Sequence, residues 1–396
     1  MKTTHHVPVG DYQFDQETRN NFEKIFKTGR LTYGPLLREF ETEFAKLHEQ
    51  TYGVFCVSGT SALHVALKTH RKFKNWEAGD EVLVPALTFV ASSNVVLHER
   101  MKPVFVEIED DFFDMDPERI EEKITPRTRA IMPVHLFGMP CRMREISEIA
   151  EKHGLTIIED CCQCTYGKID NKPVGSWSEL SCFSTYCGSL VFTGVGGLVL
   201  CNDAEQMIHL RKLLAHGRDE KYLSIDDDNL DDPEKLQDVV NKRFCFVDLG
   251  FSFRMTEFEG AVGLPQVKRI DDIFQTRRKN AEYLITGLKN IDLFQLPRDR
   301  DNALRSFRMF PIKIKGTNEI RNRISFHLEQ NGIETRPLVP LLTQPYYIEL
   351  FGDLTDQYPI AKDVGQTGFY IGCHEYLDQS DLDYTIDTIK DIVKKI

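Results

Sequence analysis

Short apolar runs alternate with helical patterns along the first half of the chain. Five runs rich in Val, Ile and Phe have the length of strands, and apolar residues between them recur at helical spacing. Strands that alternate with helices form βαβ units, so the pattern predicts an α/β fold with a mostly parallel sheet. The predicted strands are residues 54–57, 80–84, 103–108, 130–134 and 156–158, and the helices between them include 58–68, 116–124 and 143–153.

Helical spacing dominates both flanks of this region. Before it, apolar residues between 14 and 47 predict an arm and a helix, interrupted by a Gly and Pro turn. After it, the pattern predicts a long helix at 256–288, a strand at 307–314, a helix at 319–331 and a final helix at 378–396. These elements predict a second, smaller α/β region at the C-terminal end.

The composition is that of an ordinary globular protein, 41% hydrophobic and 28% charged over 396 residues. The net charge of -12 argues against nucleic acid or an anionic membrane surface as a main partner, since both select for clustered Lys and Arg. No stretch is apolar over the length that spans a membrane. The acidic residues of 219–242 predict a solvated insertion or a loop that contacts a partner.

Ten cysteines raise the question of disulfides or a metal site. Cys161, Cys162 and Cys164 lie beside a predicted strand end, with no second pair at zinc-ribbon spacing. The first residues, MKTTHHVPVGDY, contain no apolar signal region. We therefore expect reduced, buried thiols in a cytoplasmic protein, and no metal site.

Two places along the chain have the residues of a ligand site. Glu159 and Asp160 end a predicted buried strand, and open α/β sheets bind their ligands at the carboxyl ends of strands. Ser58, Gly59 and Thr60 follow a strand and open a helix, which offers free N–H groups to an anion. A solvated strand end and an ordinary helix cap would produce the same two patterns.

Three segments from residue 159 onward carry a resemblance to a known family. In order and spacing, EDCCQC, PVGSWSELSCFST and TGVGGLVLCND resemble the DegT/DnrJ/EryC1/StrS group of sugar aminotransferases, which use pyridoxal phosphate. In that family the acidic residue of an E-D-x-x-Q segment pairs with the pyridine nitrogen of the cofactor. The resemblance therefore implies this role for Asp160, places Gln163 near the ring hydroxyl and puts Ser184 on the phosphate.

Further segments extend the resemblance over the chain from about residue 29. The segment S-G-T-x-A-L implies that Gly59 and Thr60 hold the cofactor phosphate, and P-x-x-T-F-x-A implies that Phe89 stacks on the pyridine ring. The segment L-G-x-N-x-R-M-x-E is matched at 249–257, with Ser252 in place of an Asn that reaches the cofactor phosphate of the neighbouring subunit.

The Schiff-base lysine of the family is absent from its usual position. It follows the phosphate-binding serine by five residues and moves the proton between substrate and cofactor, whereas this chain has Ser189 there. Several neighbours of Ser189 also differ from the usual segment, which indicates natural divergence. Ser189 is thus the candidate at the catalytic position, although a hydroxyl that stays protonated at pH 7 cannot act as that base unassisted.

The resemblance also implies an architecture and an assembly. The fold is expected to be that of the fold-type I aminotransferases, with a seven-stranded type of sheet. A large cofactor-binding domain with an N-terminal arm would span 1–265, and a smaller C-terminal α/β domain 266–396. The family implies a homodimer with active sites at the subunit interface, bound pyridoxal 5'-phosphate or pyridoxamine 5'-phosphate, and a structural role for His135.

Three functional hypotheses stay open at this point. The first is a lysine-free enzyme of nucleotide-sugar biosynthesis that acts on a nucleotide-linked keto sugar. The second is ordinary transamination, with an amino donor such as glutamate and a proton carrier from Lys168, Lys172, His216 or the partner chain. The third is a non-catalytic homologue that binds the cofactor or a sugar nucleotide. The sequence names neither the sugar nor the nucleotide.

Overall fold

The computed structural model describes residues 5–220 and 232–396 as an alternation of strands and helices. The strands are β1 (Tyr52–Cys56), β2 (Glu81–Pro85), β3 (Lys102–Val106), β4 (Thr128–Ile131), β5 (Thr156–Asp160), β6 (Lys168–Ile169), β7 (Lys172–Pro173), β8 (Leu180–Ser184), β9 (Gly197–Cys201), β10 (Phe294–Gln295), β11 (Ala303–Leu304), β12 (Phe310–Ile314), β13 (Arg336–Pro337) and β14 (Gly368–Ile371). The helices are α1 (Gln16–Thr28), α2 (Pro35–Leu47), α3 (Gly59–Phe73), α4 (Val90–His98), α5 (Met143–His153), α6 (Ala204–Leu214), α7 (Pro233–Lys242), α8 (Glu257–Lys268), α9 (Ile270–Leu288), α10 (Asn318–Gln330), α11 (Pro345–Phe351), α12 (Pro359–Thr367) and α13 (Gln379–Val393).

The largest sheet has seven strands in the order β1-β9-β8-β5-β4-β2-β3. Strands β8, β5, β4, β2 and β3 run parallel to one another, and β9 runs antiparallel to both β1 and β8. The large, mostly parallel sheet predicted from the strand and helix alternation is therefore confirmed. Two smaller sheets have the orders β10-β12-β14-β13 and β11-β6-β7.

Both faces of the large sheet are covered by apolar side chains. In β8, Leu180 and Cys182 belong to one buried cluster, whereas Phe183 belongs to another on the opposite face. In β9, Val199 joins the first cluster and Leu198 the second. Because successive side chains of a strand point to opposite faces, a continuous apolar run is what a sheet covered on both sides requires.

The C-terminal elements have a core of their own. Phe310 and Ile312 of β12 pack with Leu284 of α9 and Ile389 of α13 in a cluster built around the small β10-β12-β14-β13 sheet. Val7, near the start of the chain, joins this cluster. The division at 265/266 stays a prediction; it falls inside α8.

Three of the predicted elements differ from the structure. Residues 116–124 form two short 3₁₀ turns instead of a helix, because Pro126 disfavours a helical conformation just before it and leaves too few residues for one. The long helix predicted at 256–288 is two helices, broken at Arg269. Of the acidic stretch 219–242, predicted as an insertion or loop, residues 233–242 form α7, whereas 221–231 lie outside the described residues.

Candidate active site

A cavity of about 570 Å³ lies where the parallel strands end. Asp160 is the last residue of β5, Ser184 is the last residue of β8, and Gly59 begins the helix that follows β1. Parallel strands bring their carboxyl ends to one edge of a sheet, so these positions meet although they are far apart in the chain. The structure brings six of the predicted site residues to this cavity: Gly59, Thr60, Phe89, Asp160, Gln163 and Ser184.

The carboxylate of Asp160 is held in the cavity wall without a cationic partner among the described residues. Its Oδ2 accepts a hydrogen bond from the hydroxyl of Ser92 at 2.7 Å, and its Oδ1 accepts one from the backbone N–H of Cys162 at 3.1 Å. Burial raises the pKa of Asp160 above its ordinary value, and these two hydrogen bonds oppose the shift. A cation bound in the cavity would stabilise the ionised carboxylate further.

The other end of the predicted site is shaped by Gly59 at the start of α3. A side-chain carbon on Gly59 would lie 2.8 Å from both Cβ of Ser184 and Sγ of Cys162, closer than packed atoms allow. Ser58 caps the helix by accepting the N–H of Ser61 at 3.0 Å. The first N–H groups of a helix have no intrahelical acceptor, so this end of the cavity suits an anion.

Phe89 and Gln163 occupy the remaining wall positions predicted from the sequence. Phe89 is 56% exposed, a high value for a large aromatic ring, and lies directly before α4. The Oε1 of Gln163 accepts the N–H of Phe137 at 3.1 Å, which fixes the side chain in its orientation. Both side chains are therefore available to a flat, polar ligand.

Ser189 lies beside the cavity and does not line it. The residue is 3% exposed, and its hydroxyl oxygen is buried with no partner among the described residues. The preceding residue, Gly188, does line the cavity. Arg277 fixes this turn by donating to the carbonyl oxygens of Gly188 at 2.7 Å and Ser189 at 3.2 Å, and it pairs with Glu375.

The other residues that the sequence connected with catalysis lie outside the cavity of this chain. Ser252 is exposed and accepts a hydrogen bond from Arg254 at 2.9 Å. Lys168 and Lys172 lie over the rings of Tyr166 and Trp177, on the hairpin of β6 and β7. His216, the third carrier considered, is exposed. No lysine of the described residues lines the cavity.

His135 belongs to a buried polar cluster with a structural role. Its Nδ1 accepts the backbone N–H of Cys141 at 3.0 Å, so its Nε2 carries the proton that faces Glu159 at 3.2 Å. Glu159 also accepts the N–H groups of Gly175 and Trp177 and the hydroxyl of Ser178. Cys161 is close enough to complete a set of three metal-ligand types, yet protein donors already occupy the carboxylate, and burial raises the pKa of the thiol.

Charged and aromatic residues of the C-terminal region complete the cavity wall; of these, Arg308 and Tyr370 were not predicted from the sequence, whereas Glu334 and Arg336 lie in a segment whose resemblance to the family placed it at the border of the substrate site. Arg308 donates to the carbonyl oxygen of Cys187 at 3.2 Å, and its Nε is buried without a partner. Burial raises the pKa of Tyr370, and the nearby guanidinium of Arg308 partly offsets this shift. Glu334 accepts the N–H of Val9 at 2.8 Å and pairs with Arg336. In the sequence, Arg308 stands out as a charged residue between the apolar residues of RSFRMFPI, and this pattern could have marked it as a site residue.

All ten cysteines lie in the described part of the chain and carry free thiols. Within residues 5–220 and 232–396, no helix combines the length and the apolar character that crossing a membrane requires.

Comparison with known proteins gives consistent matches over nearly the whole chain. GDP-perosamine synthase of Caulobacter vibrioides is 31% identical over 363 residues, 91% of each chain. GDP-4-keto-6-deoxy-D-mannose 3-dehydratase of Escherichia coli O55:H7 is 26% identical over 389 residues, 97% of this chain and 99% of that protein. The crystal structure of DesV from S. venezuelae has a TM-score of 0.85 and 27% identity, covering 99% of this chain and 100% of DesV.

The match to a protein family also covers nearly the whole chain. Residues 13–390 match the DegT/DnrJ/EryC1/StrS aminotransferase family, so the match includes the cavity residues from β1 to β14. The strand order, the cavity at the carboxyl ends of the strands and the matched range agree with one another. The chain therefore belongs to the DegT/DnrJ/EryC1/StrS aminotransferase family.

Proposed function

We propose that the protein is an enzyme of nucleotide-sugar biosynthesis that binds pyridoxamine or pyridoxal 5'-phosphate and acts on a nucleotide-linked keto sugar. The observation that carries the proposal is the buried Asp160 carboxylate, which has no cationic partner among the described residues and faces the same cavity as the start of α3. Both named relatives act on nucleotide sugars by their names, which supports this substrate class.

The residues of the cavity fit the cofactor at both of its charged ends. Asp160 offers an anion to a protonated ring nitrogen. The space that a side chain on Gly59 would fill, next to Ser184, offers a phosphate the N–H groups of the first helical turn. Phe89 and Gln163 would orient the ring between these ends. When bound, the cofactor supplies an electron sink for proton removal next to a carbon–nitrogen bond.

The residues of this chain would hold the cofactor without a covalent bond. Because no lysine of the described residues lines the cavity, retention depends on Asp160, Gly59, Thr60 and Ser184. Pyridoxamine phosphate carries its own amine, so this form suits the cavity best. Ser189 stays a candidate at the catalytic position; its buried, unpartnered hydroxyl would have to turn toward the cavity to contact a ligand.

Ordinary transamination is the second candidate function. It needs a proton carrier, and Lys168, Lys172 and His216 all lie away from the cavity of this chain. The hypothesis therefore depends on a residue of the partner subunit, with glutamate as the amino donor. The third hypothesis, a non-catalytic homologue, predicts binding of the same cofactor without turnover.

We include a homodimer and a cytoplasmic location in the proposal. An exposed apolar segment at 244–249 includes Phe244, 83% exposed, and Leu249, 79% exposed, just before Ser252. Such a segment is typical of a surface that a second copy covers, and Ser252 could then reach the neighbouring site. The ten free thiols support a reducing compartment.

Titration of pyridoxamine phosphate into Asp160→Asn and Ser189→Ala variants tests the cofactor site. Loss of the buried anion should weaken binding by at least about a hundredfold, because an unpaired ring cation would remain. Loss of the unpartnered Ser189 hydroxyl should cost no more than about tenfold. Calorimetry measures both, with thermal unfolding to show that each variant folds. Equal losses would show that the ring does not lie on Asp160.

A further inference from the structure

Arg308 places a cation in the cavity wall. Its guanidinium donates to the carbonyl oxygen of Cys187, and its Nε is buried with no acceptor. It forms no ion pair with any carboxylate of the described residues. Burial lowers the pKa of Arg308, and the largest electrostatic effects on that pKa come from Tyr370, Cys162, Arg277 and Cys187.

Other buried or partly buried arginines of the chain are neutralised by carboxylates of the protein itself. Arg277 pairs with Glu375 at 2.7 Å, Arg300 pairs with Asp114 at 2.8 Å, and Arg211 pairs with Glu41 at 2.8 Å. A buried charge that lacks a partner costs free energy that the fold must offset elsewhere. An arginine that has no carboxylate partner and lies beside a cavity indicates that a bound ligand supplies the anion.

The other charged groups of the cavity do not compete with Arg308 for the anion of a ligand. Arg336 also lines the cavity, but it pairs with Glu334 and is therefore already neutralised. Asp160 and Arg308 both line the cavity but form no ion pair with each other. The cavity thus contains two unneutralised groups, one anion at the end of β5 and one cation just before β12.

We propose that Arg308 binds a carboxylate of the substrate, which rests on the function proposed above. A guanidinium presents N–H donors in a plane that matches the two oxygens of a carboxylate. A phosphate already has a suitable place at the start of α3, on the side of Gly59 and Ser184. The carboxylate comes from one of two sources, an amino-acid donor or a sugar whose terminal carbon is oxidised to an acid.

Two pairs of probes distinguish these sources by equilibrium binding. Glutarate represents the amino-acid donor without its reactive group and is compared with glutaramide, its neutral diamide. UDP-glucuronate represents the acidic sugar and is compared with UDP-glucose. Each is titrated into the full-length protein loaded with pyridoxamine phosphate and, separately, into the protein without it.

The variant is Arg308→Gln, and the matched control is Arg321→Gln. Arg321 also donates to a backbone carbonyl, that of Gln366, and pairs with no carboxylate of the described residues, but it lies on α10 outside the cavity. We expect Arg308→Gln to weaken one acidic probe by about 10- to 100-fold, since a hydrogen bond to a charged group is lost. The neutral probes and the Arg321→Gln protein should show no change.

Thermal unfolding without ligand gives an independent readout. Removing an unpartnered buried cation should leave the Tm of Arg308→Gln at or above that of the wild type, whereas an arginine needed for folding would lower it by several degrees. A lower Tm together with unchanged binding of both acidic probes would overturn the proposal. An equal loss of pyridoxamine phosphate binding would also overturn it, because Arg308 would then hold the cofactor.

The outcomes separate this proposal from the proposed function. If the wild type binds pyridoxamine phosphate and neither acidic probe is preferred over its neutral counterpart, the carboxylate proposal fails and the cofactor site stands. If the wild type binds no pyridoxamine phosphate and an acidic probe still depends on Arg308, the proposed function fails and Arg308 is an anion site of another kind.

Discussion

Two charged residues without an ion-pair partner, Asp160 and Arg308, indicate which charges a ligand of this cavity would carry. Within the described residues, Asp160 accepts hydrogen bonds only from neutral groups, and Arg308 donates only to a carbonyl. Elsewhere the fold pairs its buried charges, as in Arg277 with Glu375. Burial raises the pKa of Asp160 and lowers that of Arg308, so a ligand with a cation and a carboxylate would stabilise the charged forms of both groups.

Gly59→Ala tests the phosphate end of the cavity at the level of one carbon atom. The added methyl group would lie 2.8 Å from Cβ of Ser184, so the start of α3 or the end of β8 has to move. We expect binding of pyridoxamine phosphate to weaken at least about tenfold, since several N–H donors would shift together. Calorimetric titration at fixed pH measures the change.

Gly316→Ala is the matched control for this variant. A methyl group there would lie 3.2 Å from Cδ1 of Ile320, a flexible side-chain end that can move away. The control should bind pyridoxamine phosphate as the wild type does. Equal affinity of the Gly59→Ala protein would place the phosphate somewhere other than the start of α3.

The end of β5 shows how one strand directs two neighbouring carboxylates to different surroundings. Glu159 and Asp160 are neighbours in sequence, but a strand sends successive side chains to opposite faces. Glu159 therefore reaches His135 and the N–H groups near Gly175, whereas Asp160 reaches the cavity. Their pKa values shift in opposite directions: hydrogen bonds outweigh burial and lower that of Glu159, and burial raises that of Asp160.

Glu159→Gln tests the structural half of this pair through the pH dependence of stability. The folded pKa of Glu159 lies below its ordinary value of 4.5, so its contribution to stability is present above pH 4.5 and is lost as the pH falls through the folded pKa. At pH 7 the amide should lower the free energy of unfolding by about 2–4 kcal/mol, because donors that faced a carboxylate lose their acceptor.

Denaturant unfolding of wild type and variant between pH 7 and pH 3.5 provides the measurement. The difference between the two proteins should stay constant down to about pH 5 and shrink below pH 4.5, as the wild-type carboxyl takes up a proton. Glu121→Gln, which removes a carboxylate from an exposed pair with Lys152, should change the unfolding midpoint little. A Glu159→Gln difference that does not depend on pH would mean that the charge of Glu159 contributes nothing.

On the scale of the whole molecule, local patterns predicted the sheet and long-range contacts decided the site. The β-branched runs gave β1, β2 and β5 because apolar strands covered on both faces leave a clear signal. The cavity joins residues from Val9 to Tyr370, and no periodicity reports such contacts. Whether a residue such as Arg308 faces a partner or a cavity depends on what the rest of the chain places opposite it.

Assembly is the property of the whole molecule that the exposed surface makes testable. Phe244 and Leu249 leave most of their apolar surface in water, in the segment just before Ser252. We expect the wild type to sediment as a dimer, and a Phe244→Asp, Leu249→Asp double variant to sediment as a monomer at micromolar concentration, since two charges would be buried unpaired in the interface. Phe326→Asp is the matched control, because Phe326 is 59% exposed on α10, away from this segment.

Sedimentation velocity with a parallel titration of pyridoxamine phosphate decides the outcome. Weaker cofactor binding by the monomer would support a site completed by the partner, whereas a double variant that stays dimeric would place the interface elsewhere.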